Sequence, residues 1–460
     1  MTATTLLETQ SAVLGSRRFR VLSMAVTVAI LWIVAQTMYT DGRSNAALDG
    51  IRYTRTINLH QSSNSHPSSP SQPSAARCSD PFSKLGTLHV DTETKHENNW
   101  VPFDKHCQPP RLMAALTAAV SGEDTSGHLD IDFVRNRTIL VMGDSIARET
   151  VKYFCSFLGQ QTMNLDDDHV WSPLRRRTDA QEDEEQEDSA QHLHQHHSRA
   201  PRESSLPNVC YIPTLDLMLI QSFHFGMDTD NFFAEKEQYN PPNNYEDRLV
   251  VHGRNLLDLI SDTDSTHPPS AFEDAVPRPS SEPDLVEVSS SLWDLARFAR
   301  IDIEQDMSTL TDLSPSRLSY YMDRMTDMLH ATSAIFPSSQ IVWRTSHYPA
   351  DHRVDEQQHH LNWLSRDMST RELELEHQRQ LLYHNKPYFH SNRLFQLDQA
   401  ARFVVESEQF DDIRLNEWGR LMFGQHAHQI DQLHPSMLPG GWLWGDTMLY
   451  ELRKAVTGEV

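Results

Sequence analysis

Hydrophobic positions in this chain form one long uncharged run near the start and shorter runs through the rest. The long run is Val21 to Thr40, which holds no charged residue. The shorter runs have two periods. Thr138-Ile139-Leu140-Val141-Met142 is almost unbroken and rich in β-branched residues, so it reads as a strand buried on both faces. Leu215-Asp-Leu-Met-Leu-Ile220, Val286 to Ser289 and Ile341-Val342-Trp343 read as further strands. Between them the spacing becomes helical. Ile146, Val151, Phe154, Cys155 and Leu158 share one side of a helix that comes after the first strand. Ser314-Pro315 opens another, with Leu318, Tyr321, Met322, Met325 and Leu329 on one face, and it ends before Pro337. Asn392 to Val405 and Trp444 to Val456 read as the last two helices. Strands alternating with helices predict an α/β fold whose mostly parallel sheet is covered on both faces.

The long run changes the picture at the N-terminus. About 20 apolar residues suffice for a helix to cross the hydrocarbon core. Arg17, Arg18 and Arg20 precede the run, and Asp41 and Arg43 come after it. That asymmetry predicts a cytoplasmic tail (1–20), one transmembrane anchor (21–40) and a translocated body, a single-pass type II arrangement. A cleaved signal peptide is the competing reading, but the run exceeds a usual h-region and lacks a clear small-x-small site. Residues 41–77 carry Ser, Pro, Asn and Gln with few large apolar residues, and read as a disordered stem. The body then spans 78–460, interrupted near 165–207 and 261–284 by stretches unfit for a core. The first holds the acidic block Gln181 to Asp188 and the cluster His192, His194, His196 and His197. Such dense charge blocks usually form solvated loops; the histidine cluster could take up a soft divalent metal, but no folded context fixes such a site.

Composition narrows the partners. Forty Lys plus Arg stand against 64 Asp plus Glu, a net charge of −24. That argues against nucleic acid as a partner and for a well-solvated acidic exterior. All four cysteines, Cys78, Cys107, Cys155 and Cys210, lie beyond the anchor. An even number in an oxidising compartment predicts two disulfides, for which Cys78–Cys107 and Cys155–Cys210 are the favoured pairs. No pair has zinc-like spacing. Asn136-Arg137-Thr138 is a glycosylation sequon. Gly253 and Gly440-Gly441 lack the spacing of a phosphate or dinucleotide loop, so no cofactor is expected.

Two motifs carry chemistry. Gly143-Asp144-Ser145 ends the first buried strand and opens a helix, where open α/β sheets place their reactive groups. A helix start supplies backbone N–H groups and partial positive charge, both suited to a developing oxyanion. Near the end of the chain stands Asp431-Gln432-Leu433-His434-Pro435. A serine hydroxyl needs a neighbouring base, and that base needs an acceptor on its other nitrogen. Asp431 could hold the Nδ1 side of His434 and leave Nε2 facing Ser145, forming a triad.

Gly143-Asp144-Ser145-Ile146-Ala147-Arg148-Glu149 and Asp431-x-x-His434 resemble the first and last blocks of the SGNH (GDSL-type) hydrolase superfamily. Arg148, the Ser145–Cys155 spacing and Arg344-Thr345-Ser346-His347 resemble its PC-esterase branch, which includes the trichome birefringence-like polysaccharide O-acetyltransferases. The resemblance covers roughly 78–460 and implies a three-layer α/β/α fold. It also implies an oxyanion hole built from the serine amide, a glycine amide after the second strand and an asparagine from a Gly-x-Asn-Asp block. Gly226 is the candidate glycine. The third block stands here as Ser291-Leu292-Trp293-Asp294, without the asparagine. Arg148 could compensate or pack the first helical turn, and Trp293 and Asp294 could line the site or end a strand.

The resemblance and the tail–anchor–stem layout together imply a Golgi-type enzyme with a luminal body. It would move an acyl group, acetyl above others, from a donor to a glycan or polysaccharide acceptor, or remove one. A small-ester or lipid esterase, and an inactive glycan-binding or scaffolding member, remain as alternatives. An epitope tag fused to Met1 is expected to stay on the mature, membrane-bound protein, as blotting of carbonate-washed membranes reports. Loss of the tag would instead mark the run as a cleaved signal peptide.

Overall fold

The computed structural model describes residues 78, 80–122, 130–166, 169, 171–172, 205–234, 242, 244–261, 282–349, 388–431 and 433–458. The tail, anchor and stem lie outside the described residues, as do the acidic block and the histidine cluster. Among the described residues no helix is long and apolar enough to cross a membrane.

A short antiparallel pair, β1 (Gly86–His89) and β2 (Asn99–Pro102), and helix α1 (Leu112–Ser121) precede the main sheet. Strand β3 (Arg137–Gly143) leads into α2 (Ser145–Phe157). Then come β4 (Met163–Asn164), β5 (Asn208–Ile212) and β6 (Leu217–Phe223). Helices α3 (Tyr245–Arg248) and α4 (Asn255–Ser261) precede β7 (Leu285–Val288). Helices α5 (Leu292–Glu304) and α6 (Pro315–Ile335) then lead to β8 (Gln340–Arg344). Helix α7 (Ser391–Val405), β9 (Arg414–Asn416), α8 (Trp418–Leu421) and α9 (Trp442–Thr457) complete the order.

The sheet runs β4-β5-β6-β3-β7-β8-β9. The five strands from β6 to β9 are mutually parallel, while β4 and β5 join antiparallel. The chain leaves β3 for neighbours on one side and returns through β7 on the other, so its carboxyl end is a topological switch point. Both faces are covered. Leu140 and Val286 are register partners, as are Val141 and Glu287. A Cβ on Gly253 would lie 3.3 Å from Leu140, whereas Glu287, on the opposite face, accepts a 2.8 Å hydrogen bond from Trp444 of α9. The α/β reading with a mostly parallel, doubly covered sheet therefore holds.

Several boundaries differ from the sequence reading. The strand expected from Leu215 starts at Leu217, because Leu215 and Asp216 form the turn between β5 and β6: Leu215 N–H donates to Ile212, and Asp216 has φ 48°. The first insertion begins and ends against the core, since Leu165, Trp171 and Leu206 are buried, and Asp284, where the second ends, pairs with Arg137 at 2.8 Å. Asn136 is exposed in a left-handed turn (φ 55°) just before β3.

Both favoured disulfides are present. Cys78–Cys107 has a Cα separation of 5.1 Å, and Cys155–Cys210 ties α2 to β5 with a separation of 5.8 Å. The second bridge holds the helix that starts at Ser145 against the sheet. Replacing both Cys155 and Cys210 by serine is expected to lower unfolding free energy by about 2–4 kcal/mol, measured by denaturant titration.

Candidate active site

Ser145 stands where the backbone turns from β3 into α2. Asp144 caps the helix, its Oδ1 accepting the Ile146 N–H at 2.9 Å. Close packing forces glycine at position 143: a Cβ there would lie 2.6 Å from Ala147 and 2.8 Å from Ser289. The first turn of a helix has no internal acceptor for its N–H groups, so the Ser145 amide can serve an oxyanion.

Residues 428–431 and 433–436 lie back to back as the two arms of a tight hairpin. Gln429 and Pro435 form an antiparallel bridge, Ile430 N–H donates to His434 at 2.8 Å, and Ser436 N–H to His428 at 2.9 Å. Asp431, at the tip, accepts from the N–H groups of Leu433 (3.1 Å) and His434 (2.8 Å). Its carboxylate also lies 2.8 and 3.0 Å from His434 Nδ1. The other ring nitrogen, Nε2, lies 2.7 Å from Ser145 Oγ. The structure thus joins the three residues in one hydrogen-bonded line: carboxylate, imidazole, hydroxyl.

Burial pushes the Asp431 carboxyl pKa upward. Hydrogen bonds from the His434 N–H and ring outweigh it and hold the value down at about 2. The group is therefore ionised across the physiological range, as an imidazolium stabiliser must be.

No protein-family profile and no curated protein sequence matches the chain. Solved structures similar to it include a protein described as a GDSL-like lipase from Parabacteroides merdae, 10% identical, with a TM-score of 0.30 over 70% of this chain and 96% of that one. A lipase from a goat rumen metagenome is 12% identical, with a TM-score of 0.28 over 69% of this chain and 97% of that one.

The loops around the serine are set by the sheet register. Phe223, the last residue of β6, pairs with Gly143, and His224 N–H donates to the Gly143 carbonyl at 3.0 Å. The segment after β6 therefore starts level with Ser145. Gly226 sits there at φ 87°, and a Cβ would approach Asp294 Oδ1 to 3.0 Å. Asp294 is buried in the first turn of α5 rather than at a strand end. It accepts from Met227 N–H at 3.0 Å and from Ser290 Oγ at 2.5 Å, pinning the Gly226 turn to the end of β7. Trp293, also helical, packs against Phe223, Phe225 and Phe233. The Arg148 guanidinium lies 5.8 Å from the Phe223 ring centroid and 3.2 Å from Glu149, along the end of β6.

Two further histidines, to which the sequence reading gave no role, shape the site. His224 is buried between the carbonyls of Gly226 (3.1 Å) and Ser289 (2.9 Å), bridging the loops after β6 and β7. His347 is buried beside Trp418, and its Nε2 lies 2.6 Å from the Leu433 carbonyl, one residue before His434. Both bind backbone oxygens, which leave no trace in sequence. Beside the serine is a recess of about 10 Å³, room for the centre of one water-sized group, walled by Ile146, Ser289, Ser290, Ser291, Ser346 and His347.

Asp431→Asn is expected to lower kcat on an ester substrate by about 10³–10⁴-fold with KM little changed, in steady-state kinetics. Because the folded pKa is depressed from 3.8, the carboxylate's stabilising share is complete above the unfolded value and lost as pH falls through about 2. Exchange protection of the His434 N–H is expected to take that course.

Proposed function

We propose that this chain is a serine acyl-transfer enzyme of SGNH type, membrane-anchored, whose luminal body moves an acetyl group onto or off glycan hydroxyls. The observation that carries the acyl-transfer reading is the 2.7 Å contact between His434 Nε2 and Ser145 Oγ, with Asp431 on the opposite ring nitrogen. The glycan and membrane parts rest on the motif resemblance and on the tail–anchor–stem layout.

In the first half-reaction Ser145 Oγ attacks the donor's carbonyl carbon while its proton passes to His434 Nε2. The oxyanion faces the Ser145 amide, with the Gly226 amide as its candidate second donor. Collapse breaks the bond to the leaving oxygen, which takes the proton from His434, and leaves an acyl-serine. In the second half a sugar hydroxyl, or water, gives its proton to His434 and attacks the acyl carbon, and Ser145 Oγ departs with that proton. Transfer and hydrolysis differ only in the second nucleophile. A groove of about 480 Å³ lined by Tyr348, Phe395, Phe423, Asn392 and Gln399 is the candidate acceptor site. Its exposed rings can stack on a pyranose face, and Gln429 of the hairpin donates to the Tyr348 carbonyl at 2.8 Å.

Ser145→Ala and His434→Ala are each expected to lower p-nitrophenyl acetate turnover by at least about 10³-fold. Added oligosaccharide is expected to leave the wild-type reaction carrying acetyl, by mass spectrometry. Turnover without glycan acetylation would favour the small-ester esterase, and turnover that survives Ser145→Ala would reject the triad.

A further inference from the structure

The catalytic base and its carboxylate sit on an exposed hairpin, not on the sheet. Side-chain exposure is 20% for His434 and 50% for Asp431. Hydrogen bonds within the hairpin shape it but cannot place it relative to Ser145. The segment leaving β8, Thr345 to Tyr348, supplies that placement, because each of its four residues is tied to a different part of the site.

Thr345 is fixed to the end of the sheet: its N–H and Oγ1 both donate to the Asn416 carbonyl, at 2.9 and 3.0 Å, and its Oγ1 accepts the Gly419 N–H at 3.0 Å. The backbones of this segment and α8 touch so closely that a Cβ on Gly419 would collide with the Ser346 carbonyl. Ser346 Oγ is hydrogen-bonded to Ser291 Oγ in the loop after β7. His347 and Tyr348 then reach the hairpin at two points, through the Leu433 carbonyl (2.6 Å) and the Gln429 carboxamide (2.8 Å).

We infer that His347 is a positioning residue, whose buried Nε2–H donates to the Leu433 carbonyl and aligns the His434 imidazole on Ser145. This rests on the acyl-transfer reading and extends it to a residue outside the triad, one that acts through the Leu433 peptide. The next residue along from Leu433 carries the base, so rotation of that peptide swings the ring. A misplacement of about 1 Å in such a contact costs on the order of 10²-fold in rate. A neutral ring is the form that suits this role: burial, the largest influence, drives the His347 pKa down to about 4 against the pull of the Leu433 carbonyl, with Arg344 adding to the fall.

The test uses the full chain and p-nitrophenyl acetate, comparing His347→Gln, which keeps an N–H at similar reach, with His347→Leu, which does not. His347→Leu is expected to lower kcat about 10²-fold with KM within a few-fold of wild type, at an unchanged circular dichroism spectrum. His347→Gln is expected to restore most of that loss. Equal losses in both variants, or a His347→Leu enzyme with wild-type kcat, would overturn the inference. If Ser145→Ala stays active, the acyl-transfer reading itself fails. If Ser145→Ala is dead while His347→Leu is normal, only the positioning role fails.

Discussion

One hydrogen bond, between His434 Nε2 and Ser145 Oγ, closes a loop of 289 residues, and the proposed chemistry depends on it. Its two ends are placed by different means. Ser145 is fixed by the centre of the sheet: β3 has parallel neighbours on both sides, and its carboxyl end is where the topology reverses. The hairpin that carries His434 is held from two sides, by the segment leaving β8 and by the helix that comes after it. The start of α9 presses on α2 so tightly that a Cβ on Gly441 would lie 2.7 Å from Tyr153, and one on Gly440 2.7 Å from Pro435. The rings of Phe157 and Trp442 meet edge to face at 5.0 Å, and those of Phe154 and Trp444 at 6.0 Å. The helix that starts at Ser145 is thus the surface on which the last helix, and with it one side of the His434 hairpin, is seated.

Beneath the site the electrostatics are built to resist movement. Glu287 on β7 receives Arg344 from β8 (3.0 Å), Asn416 from β9 (2.9 Å) and Trp444 from α9 (2.8 Å). Burial drives this carboxyl's pKa upward, and the three donors work against that rise, Arg344 most strongly. Removing one member of such a buried ion pair typically costs about 3–5 kcal/mol, because the other charge is left uncompensated. Arg344 also donates to Ser289 at 2.6 Å, linking this network to the loop after β7. Three strand ends and the last helix therefore hold one another at the edge where Ser145 emerges.

Much of the frame was legible in the sequence wherever an element was long enough to show a period. The strands around Leu140, Val286 and Val342 and the helices from Ser145, Pro315 and Ser391 lie within a residue or two of their expected bounds. Short elements escaped. Strand β9 is three residues, Arg-Leu-Asn, and is defined by pairing with β8 rather than by its own pattern. Helix α1, Leu-Met-Ala-Ala-Leu-Thr-Ala-Ala, is apolar nearly all round and shows no amphipathic stripe. At the site, Ser145, Asp431 and His434 were legible because nucleophile, base and orienting carboxylate each require a particular side chain. Asp294 was left between lining the site and ending a strand, because Ser289 to Ser291 break the run before α5 begins. His347 stood within a quoted motif and His224 two residues before Gly226, but neither could be given a role, because both bind peptide carbonyls, which every residue has.

The most direct measurement is covalent trapping. The protein is mixed with p-nitrophenyl [¹⁴C]acetate, quenched in acid within the first turnovers and digested, and the labelled peptide is sequenced by tandem mass spectrometry. The expected result is one labelled peptide, Gly143 to Lys152 at its centre, with the acetyl group on Ser145 and no label in Ser145→Ala or His434→Ala. An unlabelled Ser145 during turnover, or label on Ser145 that persists undiminished in His434→Ala, would contradict a triad-driven acyl transfer.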